Sequence, residues 1–163
     1  MMKTTNGIFL IDSLGKMLVT HPTLSPMDNW SIPKGLTDEG ETSLESTYRE
    51  LFEETSIDLE KEISLNDNLV VAYNELSSIK YKSNEKRLNS HIFIISEPWS
   101  EMDLDLKCES MFIEPKSGKE YPENDITKWV TFDFCIQNLH ETQVKKLSEV
   151  INFYVNVKYR EIE

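Results

Sequence analysis

The chain has 163 residues, with 17 Lys and Arg against 29 Asp and Glu, a net charge of −12, 39% hydrophobic and 10% aromatic residues. That length fits one domain, read as residues 1–163, and apolar runs such as Ile92-Phe93-Ile94-Ile95 exclude a disordered chain. The acidity excludes a protein that coats DNA or an anionic membrane, and no apolar run approaches the roughly 20 residues of a membrane span.

Residues Met1 to Asn6 lack the layout of a signal peptide, so the expected location is cytoplasmic. Cys108 and Cys135 form no CxxC pair, and His21, His91 and His140 are the histidines available to join them. They read as two reduced thiols rather than a zinc site or a disulfide.

In chain order, Gly7 to Ile11 and Met17 to Thr20 read as two strands, joined by turn chemistry over Asp12 to Lys16. A loop with Pro22, Pro26 and Pro33 follows. Ser43 to Thr55 reads as a helix, because at about 100° per residue Leu44, Tyr48, Leu51 and Phe52 share one side. Asn68 to Tyr73 and His91 to Ser96 read as strands around a polar piece, Lys80 to Arg87. Met102 to Lys119 reads as an insertion or an irregular connection. Ile126 to Phe132 reads as a strand, and Glu141 to Tyr159 as a closing helix striped by Val144, Leu147, Val150, Ile151 and Tyr154. Strands, helix, strands, helix in that order predict an α/β sheet with helices packed on it.

The acids are concentrated. Ten lie between Asp38 and Glu62, opposed by Arg49 and Lys61, and this stretch supplies −8 of the net charge. On the helix, Glu50, Glu53 and Glu54 share one face of about 100°. Like charges so placed repel, and they crowd the second half of the helix, where the macrodipole disfavours anions. The plain alternative is a solvated acidic face. A divalent cation removes the penalty, and Mg²⁺ takes carboxylate oxygens together with water and substrate phosphates.

The pattern around these acids is Gly35, five residues, Glu41, seven residues, then Arg49-Glu50-Leu51-Phe52-Glu53-Glu54-Thr55-Ser56-Ile57. It resembles the Nudix box, with Ser56 where the family has glycine. Trp30-Ser31-Ile32-Pro33-Lys34 is similar to the family's lead-in. The likeness extends more weakly along the chain and implies the Nudix α/β/α sandwich, a mixed sheet between helices. It also implies Mg²⁺- or Mn²⁺-dependent hydrolysis of a nucleoside diphosphate linked to another group.

By matching positions, the resemblance implies metal ligation by Glu50 and Glu54, then Glu53, with the carbonyl of Gly35 as a further ligand. Arg49 would orient a carboxylate and Glu41 would brace the loop. The general base is left among Glu53, Glu50 and a later glutamate, with Glu123 ahead of Glu120 and Glu114. Lys34 would face the phosphates. Lys80, Lys82, Lys86 and Arg87 form the basic cluster of an acidic chain, read either as a phosphate clamp, through Lys82 and Arg87, or as a solvated hairpin tip. Ser56 falls where a helix ends in a left-handed residue, at a cost of about 1 kcal/mol to serine.

For the substrate, Tyr73 stands at a spacing past the box that resembles some dinucleoside-polyphosphate hydrolases, against the reading of a strand aromatic. Trp30, Tyr81 and Trp99 are aromatic candidates for stacking on a base or for the core. The resemblance thus implies a small nucleotide substrate, of the dinucleoside polyphosphate or ADP-ribose type. Two alternatives stay open: a silent nucleotide-binding regulatory module, and decapping of a short capped RNA. A homodimer also stays open, as it is common among relatives.

Overall fold

The computed structural model describes residues 2–83 and 85–162; Met1, Asn84 in the polar piece, and Glu163 lie outside the described residues. Its centre is a six-stranded mixed sheet of order β4-β5-β1-β2-β8. The strands are β1 (Lys3–Ile11), β2 (Met17–Pro22), β4 (Val70–Lys80), β5 (Lys86–Ile95) and β8 (Asn124–Val130), and a short β3 (Lys34–Leu36) pairs with β1. β1 runs parallel to β5 and antiparallel to β2 and β3. The strands after the box are longer than expected: β4 runs on to Lys80 and β5 begins at Lys86, so together they take in both ends of the polar piece.

Strand alternation divides the apolar residues between two layers. Phe9 and Ile11 of β1 face one side, with Ile92 and Ile94 of β5, and are covered by Cys135 and by Leu147 and Val150. The covering helices are α3 (Phe132–Asn138) and α4 (Glu141–Ile162). Ile8 and Leu10 face the other side with Phe93 and Ile95, under Leu51 and Leu59. Those come from α1 (Ser43–Thr55) and α2 (Leu59–Leu65). The result is the α/β/α arrangement expected from the sequence. Each fully buried Leu or Ile side chain contributes about 1.5–3 kcal/mol.

α1 has the predicted bounds, and its start is held by a capping box: Thr42 accepts from the Glu45 amide, and the Glu45 carboxylate accepts from the Thr42 amide. Phe52, placed on the apolar side by periodicity, is 45% exposed; it sits at the edge of that stripe, and Leu44, Tyr48 and Leu51 carry the contact. Phe132, read as the end of a strand, instead begins α3, because Thr131 caps the helix by accepting from the Phe134 amide. α2 and α3 are each seven residues long, too short for a periodicity reading.

The stretch from Met102 to Lys119 contains β6 (Met111–Ile113), hairpinned to β7 (Glu120–Pro122), and an irregular approach to it. That approach has a definite job. The amides of Lys107 and Ser110 donate to the Thr55 and Glu53 carbonyls at 3.1 and 3.2 Å, and the Glu109 amide donates to Glu53 at 2.6 Å. These are carbonyls that a helix end leaves without intrahelical partners. Both cysteines are free, and burial pushes the Cys135 thiol up to about 12. Among the described residues no helix is long and apolar enough to cross a membrane.

Candidate active site

The last two turns of α1 bring acids inward rather than outward. Its buried residues are Ser46, Thr47, Glu50, Leu51, Glu54 and Thr55. Glu50 and Glu54 are 7% and 6% exposed, so a solvated acidic face does not describe them. They line a cleft of about 450 Å³ with Lys34, Gly35, Glu53 and Glu123. Two buried carboxylates one turn apart cost free energy unless something compensates them.

Arg49 supplies part of that compensation. Its Nε and Nη2 donate to the two oxygens of Glu41 at 2.7 and 3.0 Å. Its Nη1 donates to Glu50 at 2.9 Å and Glu53 at 3.1 Å, and Nη2 also reaches the Leu36 carbonyl at 2.9 Å. One guanidinium thus ties the loop after β3 to the acidic face of the helix, with the fork geometry that lysine lacks. The Glu41 hydrogen bonds lead the effects that raise the Arg49 pKa and hold it charged.

The carboxylates inside the cleft are not fully compensated. Burial pushes Glu54 up to about 8; Lys34 opposes the shift and Glu50 adds to it. The Lys34 amide approaches Glu54 at 3.4 Å, a long hydrogen bond. Glu50 is also raised, by burial first, against the pull of Arg49. Glu123, on the lip of the cleft, is raised by desolvation and then by Glu53. The Gly35 backbone lies so close to Glu50 that any Cβ there would overlap its carboxyl group. Asn124 also lines the cleft, and its buried Nδ2 has no acceptor among the described residues.

Among the described residues no three His, Cys, Asp or Glu groups converge as a ready coordination sphere. The donors the cleft does offer are carboxylate oxygens and backbone carbonyl, the class that Mg²⁺ and Mn²⁺ accept. The glycine cradle under Glu50 and the raised Glu54 both fit a cation that would favour the ionised carboxylates.

The NUDIX domain profile matches residues 1–134. The chain belongs to the Nudix family. An RNA pyrophosphohydrolase of Pseudoalteromonas atlantica is 30% identical over 136 residues, covering 82% of this chain and 72% of that protein. An Ap4A hydrolase of C. elegans, solved as a binary complex, superposes with a TM-score of 0.64 at 17% identity, over 93% of this chain and 98% of that one. A bifunctional NMN adenylyltransferase/ADP ribose pyrophosphatase of Francisella tularensis, complexed with AMP and a Mn ion, gives 0.65 at 15% identity. This chain covers 42% of it and is itself covered over 93%. At those identities the likeness is one of fold. Family and relatives together make the protein a Nudix hydrolase of pyrophosphate bonds.

The Nudix box residues Gly35, Glu50, Glu53 and Glu54 come together at the cleft, with Lys34 and the distant Glu123. Arg49 stands behind them, bonded to Glu50 and Glu53. Three expected substrate contacts lie elsewhere. Tyr73 is on the α1 side of the sheet against Phe93, and its hydroxyl bonds His91 Nδ1 at 2.7 Å. Lys82 pairs with Glu141 at 3.1 Å. Arg87 does not line the cleft, because alternation along β5 sends it to the face opposite Lys86. Lys86 is the member of the basic cluster that reaches the cleft. Reading β5 as starting at Lys86 would have separated the two in advance. Asn124 had no signal in the sequence.

Ser56 is left-handed, with φ 68° and ψ 10°. Its Oγ donates to the Lys107 carbonyl at 2.8 Å, a bond that glycine cannot make. The departure from the box therefore carries its own compensation.

Proposed function

We propose that this Nudix hydrolase cleaves the phosphoanhydride of a nucleoside 5′-polyphosphate, with dinucleoside polyphosphates as the leading substrate class. The observation that carries the reading is the pair of buried carboxylates, Glu50 and Glu54, facing a cleft whose other charged wall holds Lys34 and Lys86. Water must attack phosphorus that already carries negative charge, so positive charge has to surround the polyphosphate. Lys34 and Lys86 supply part of it from the chain. A Mg²⁺ or Mn²⁺ ion held by Glu50, Glu54 and the Gly35 carbonyl, with Glu53 beside them, would neutralise the acids and polarise the phosphoryl oxygens.

Glu123 is the better general base of the late glutamates. Glu120 and Glu114 do not line the cleft, and Glu53 is engaged by Arg49. The Glu123 carboxyl has no hydrogen bond or ion pair among the described residues, and desolvation, then Glu53, raises its pKa, which makes it a stronger proton acceptor than an ordinary carboxylate. Arg49 holds Glu50 and Glu53 in place. The unpartnered Asn124 amide is a donor for a phosphate oxygen.

A second reading, a 5′-triphosphorylated or capped RNA end, is favoured by the name of the Pseudoalteromonas relative. The net charge of −12 works against a long RNA, since backbone binding relies on Lys and Arg. Initial rates with Mg²⁺ on diadenosine tetraphosphate, ADP-ribose and a short triphosphorylated or capped RNA separate these readings. Highest kcat/KM on diadenosine tetraphosphate supports the first and highest on RNA the second. Nucleotide binding without turnover on any of them would leave the silent module and overturn the proposal.

A further inference from the structure

His21, near the end of β2, is 1% exposed, and both of its ring nitrogens face acceptors. Nδ1 lies 2.7 Å from Asp125 Oδ1, and Nε2 lies 2.9 Å from the Pro26 carbonyl oxygen. A carboxylate and a carbonyl only accept, so both nitrogens donate and the ring is an imidazolium. A buried cation is costly unless it is paired, and an apolar side chain would fill the same space without that penalty. We infer that the His21 imidazolium is a positioning residue for the reaction: it braces Asp125 against the loop at Pro26 and so fixes the piece of chain that aims Glu123 into the acidic cleft. This rests on the reading of Glu123 as general base and names the group that holds it.

The path from the brace to the cleft is short. β2 and β8 pair antiparallel, but their register shifts: Pro22 pairs with Asn124 and His21 with Ile126. Asp125 is therefore the extra residue of a β-bulge, a device that re-aims neighbouring side chains next to active sites. Glu123 and Asn124, just before the bulged residue, line the cleft, as do Thr20 and Pro22 on either side of His21. The Thr23 amide donates to the Glu123 carbonyl at 2.9 Å, and Thr23 Oγ1 donates to the Pro122 carbonyl at 2.5 Å. Together with the His21–Asp125 bond, these tie residues 21–23 to residues 122–125. The histidine bond is the one among them that depends on protonation.

The surroundings of the ring set the sign of its pH dependence. Burial disfavours the charged form, but the bonds to Asp125 and Pro26 outweigh it and raise the His21 pKa above its ordinary 6.5. Asp125 is the charged group that β8 presents to the ring, and the loop after β2 presents the backbone of Ser25 and Pro26. Trp30 presents its own ring, with centroids 5.0 Å apart, and Lys128 Nζ lies 4.5 Å from the Trp30 centroid. Loss of one proton leaves one His21 nitrogen with a lone pair facing an acceptor, so one end of the brace opens. The brace is closed below the raised pKa and open above it, and kcat is expected to fall on the alkaline side.

The test joins NMR of the His21 ring to kinetics on diadenosine tetraphosphate with Mg²⁺. In wild type both ring nitrogens are expected to carry protons at about pH 6.5, and kcat to fall as the ring titrates, with KM little changed. The Asp125 side chain is 40% exposed, so it can be replaced without opening the core. Asp125→Ala is expected to lower kcat by about 10–100-fold with little change in KM. Asp125→Asn, whose amide can accept from Nδ1 or donate to it, is expected to keep kcat and flatten the alkaline fall. Added to Glu123→Gln, Asp125→Ala is expected to cost little more, because the base that it positions is already gone. Wild-type kcat in Asp125→Ala, a singly protonated ring at about pH 6.5, or the full loss repeated in the Glu123→Gln background would overturn the role of His21. If Glu123→Gln alone leaves kcat unchanged, the base reading fails first and takes this role with it.

Discussion

The carboxyl group of Glu50 occupies the space into which any side chain at Gly35 would project. Glycine is required there by close approach, not by a left-handed backbone. Gly35→Ala is expected to push the Glu50 carboxyl off the backbone while leaving the fold intact. The predicted outcome is a loss in kcat/KM of at least about 10–100-fold, with a weaker Mg²⁺ dependence and an unchanged circular dichroism spectrum. Full activity in Gly35→Ala would show that the contact has no catalytic consequence.

Glu54 gives the metal-free protein a pH dependence of definite sign. Its ordinary value is 4.5 and burial pushes it up to about 8 in the folded chain. The folded state therefore binds this proton more tightly than the unfolded state. The corresponding stability is fully present below about pH 4.5 and is lost as pH rises through about 8. Mg²⁺ competes for the ionised form, so the rise in Tm on adding Mg²⁺ is expected to be larger at pH 8 than at pH 5.5. An equal rise at both pH values would contradict the assignment.

Glu123→Gln keeps the shape of the cleft lip and removes the proton acceptor. A general base is worth about 10²–10⁴ in rate. The expected result is a fall of that size in kcat with little change in KM, and loss of the acidic limb of the pH–rate profile. Unchanged kcat would move the base to Glu53.

Ser56 separates backbone strain from side-chain bonding. Ser56→Ala keeps the left-handed strain and loses the bond to the Lys107 carbonyl, so it is expected to cost about 1 kcal/mol in denaturant unfolding. Ser56→Gly relieves strain of about the same size and loses the same bond, so stability and activity are expected to stay close to wild type. A many-fold gain in activity on Ser56→Gly would show that the serine impairs the site.

The parts of the fold legible in sequence are those with long periodic signals. α1 and α4 carry stripes over several turns, and β1 and β5 carry unbroken apolar runs. α2, α3, β3 and the β6–β7 hairpin are short, and tertiary contacts decide them. The box placed its acids in order along the chain, but only packing shows that Glu50 and Glu54 are buried while Glu53 is half-exposed. Tyr73 and Arg87 misled for one reason. A strand sends neighbours to opposite faces, and spacing alone does not say which face meets the cleft. Asn124, at the start of β8, joins Glu50, Glu53 and Glu54 of α1 only at the folded cleft, which no local pattern encodes.

The central claim is that the buried Glu50–Glu54 pair is the cation-dependent centre of a phosphoanhydride hydrolase. The direct measurement is product release from diadenosine tetraphosphate across a Mg²⁺ titration, for wild type and Glu54→Gln side by side, with the exposed Glu60→Gln as control. The account predicts Mg²⁺-dependent turnover in wild type and Glu60→Gln. In Glu54→Gln it predicts a loss beyond the roughly 10–100-fold typical of an outer-shell change. Turnover by Glu54→Gln at the wild-type rate, or turnover indifferent to Mg²⁺, would contradict it.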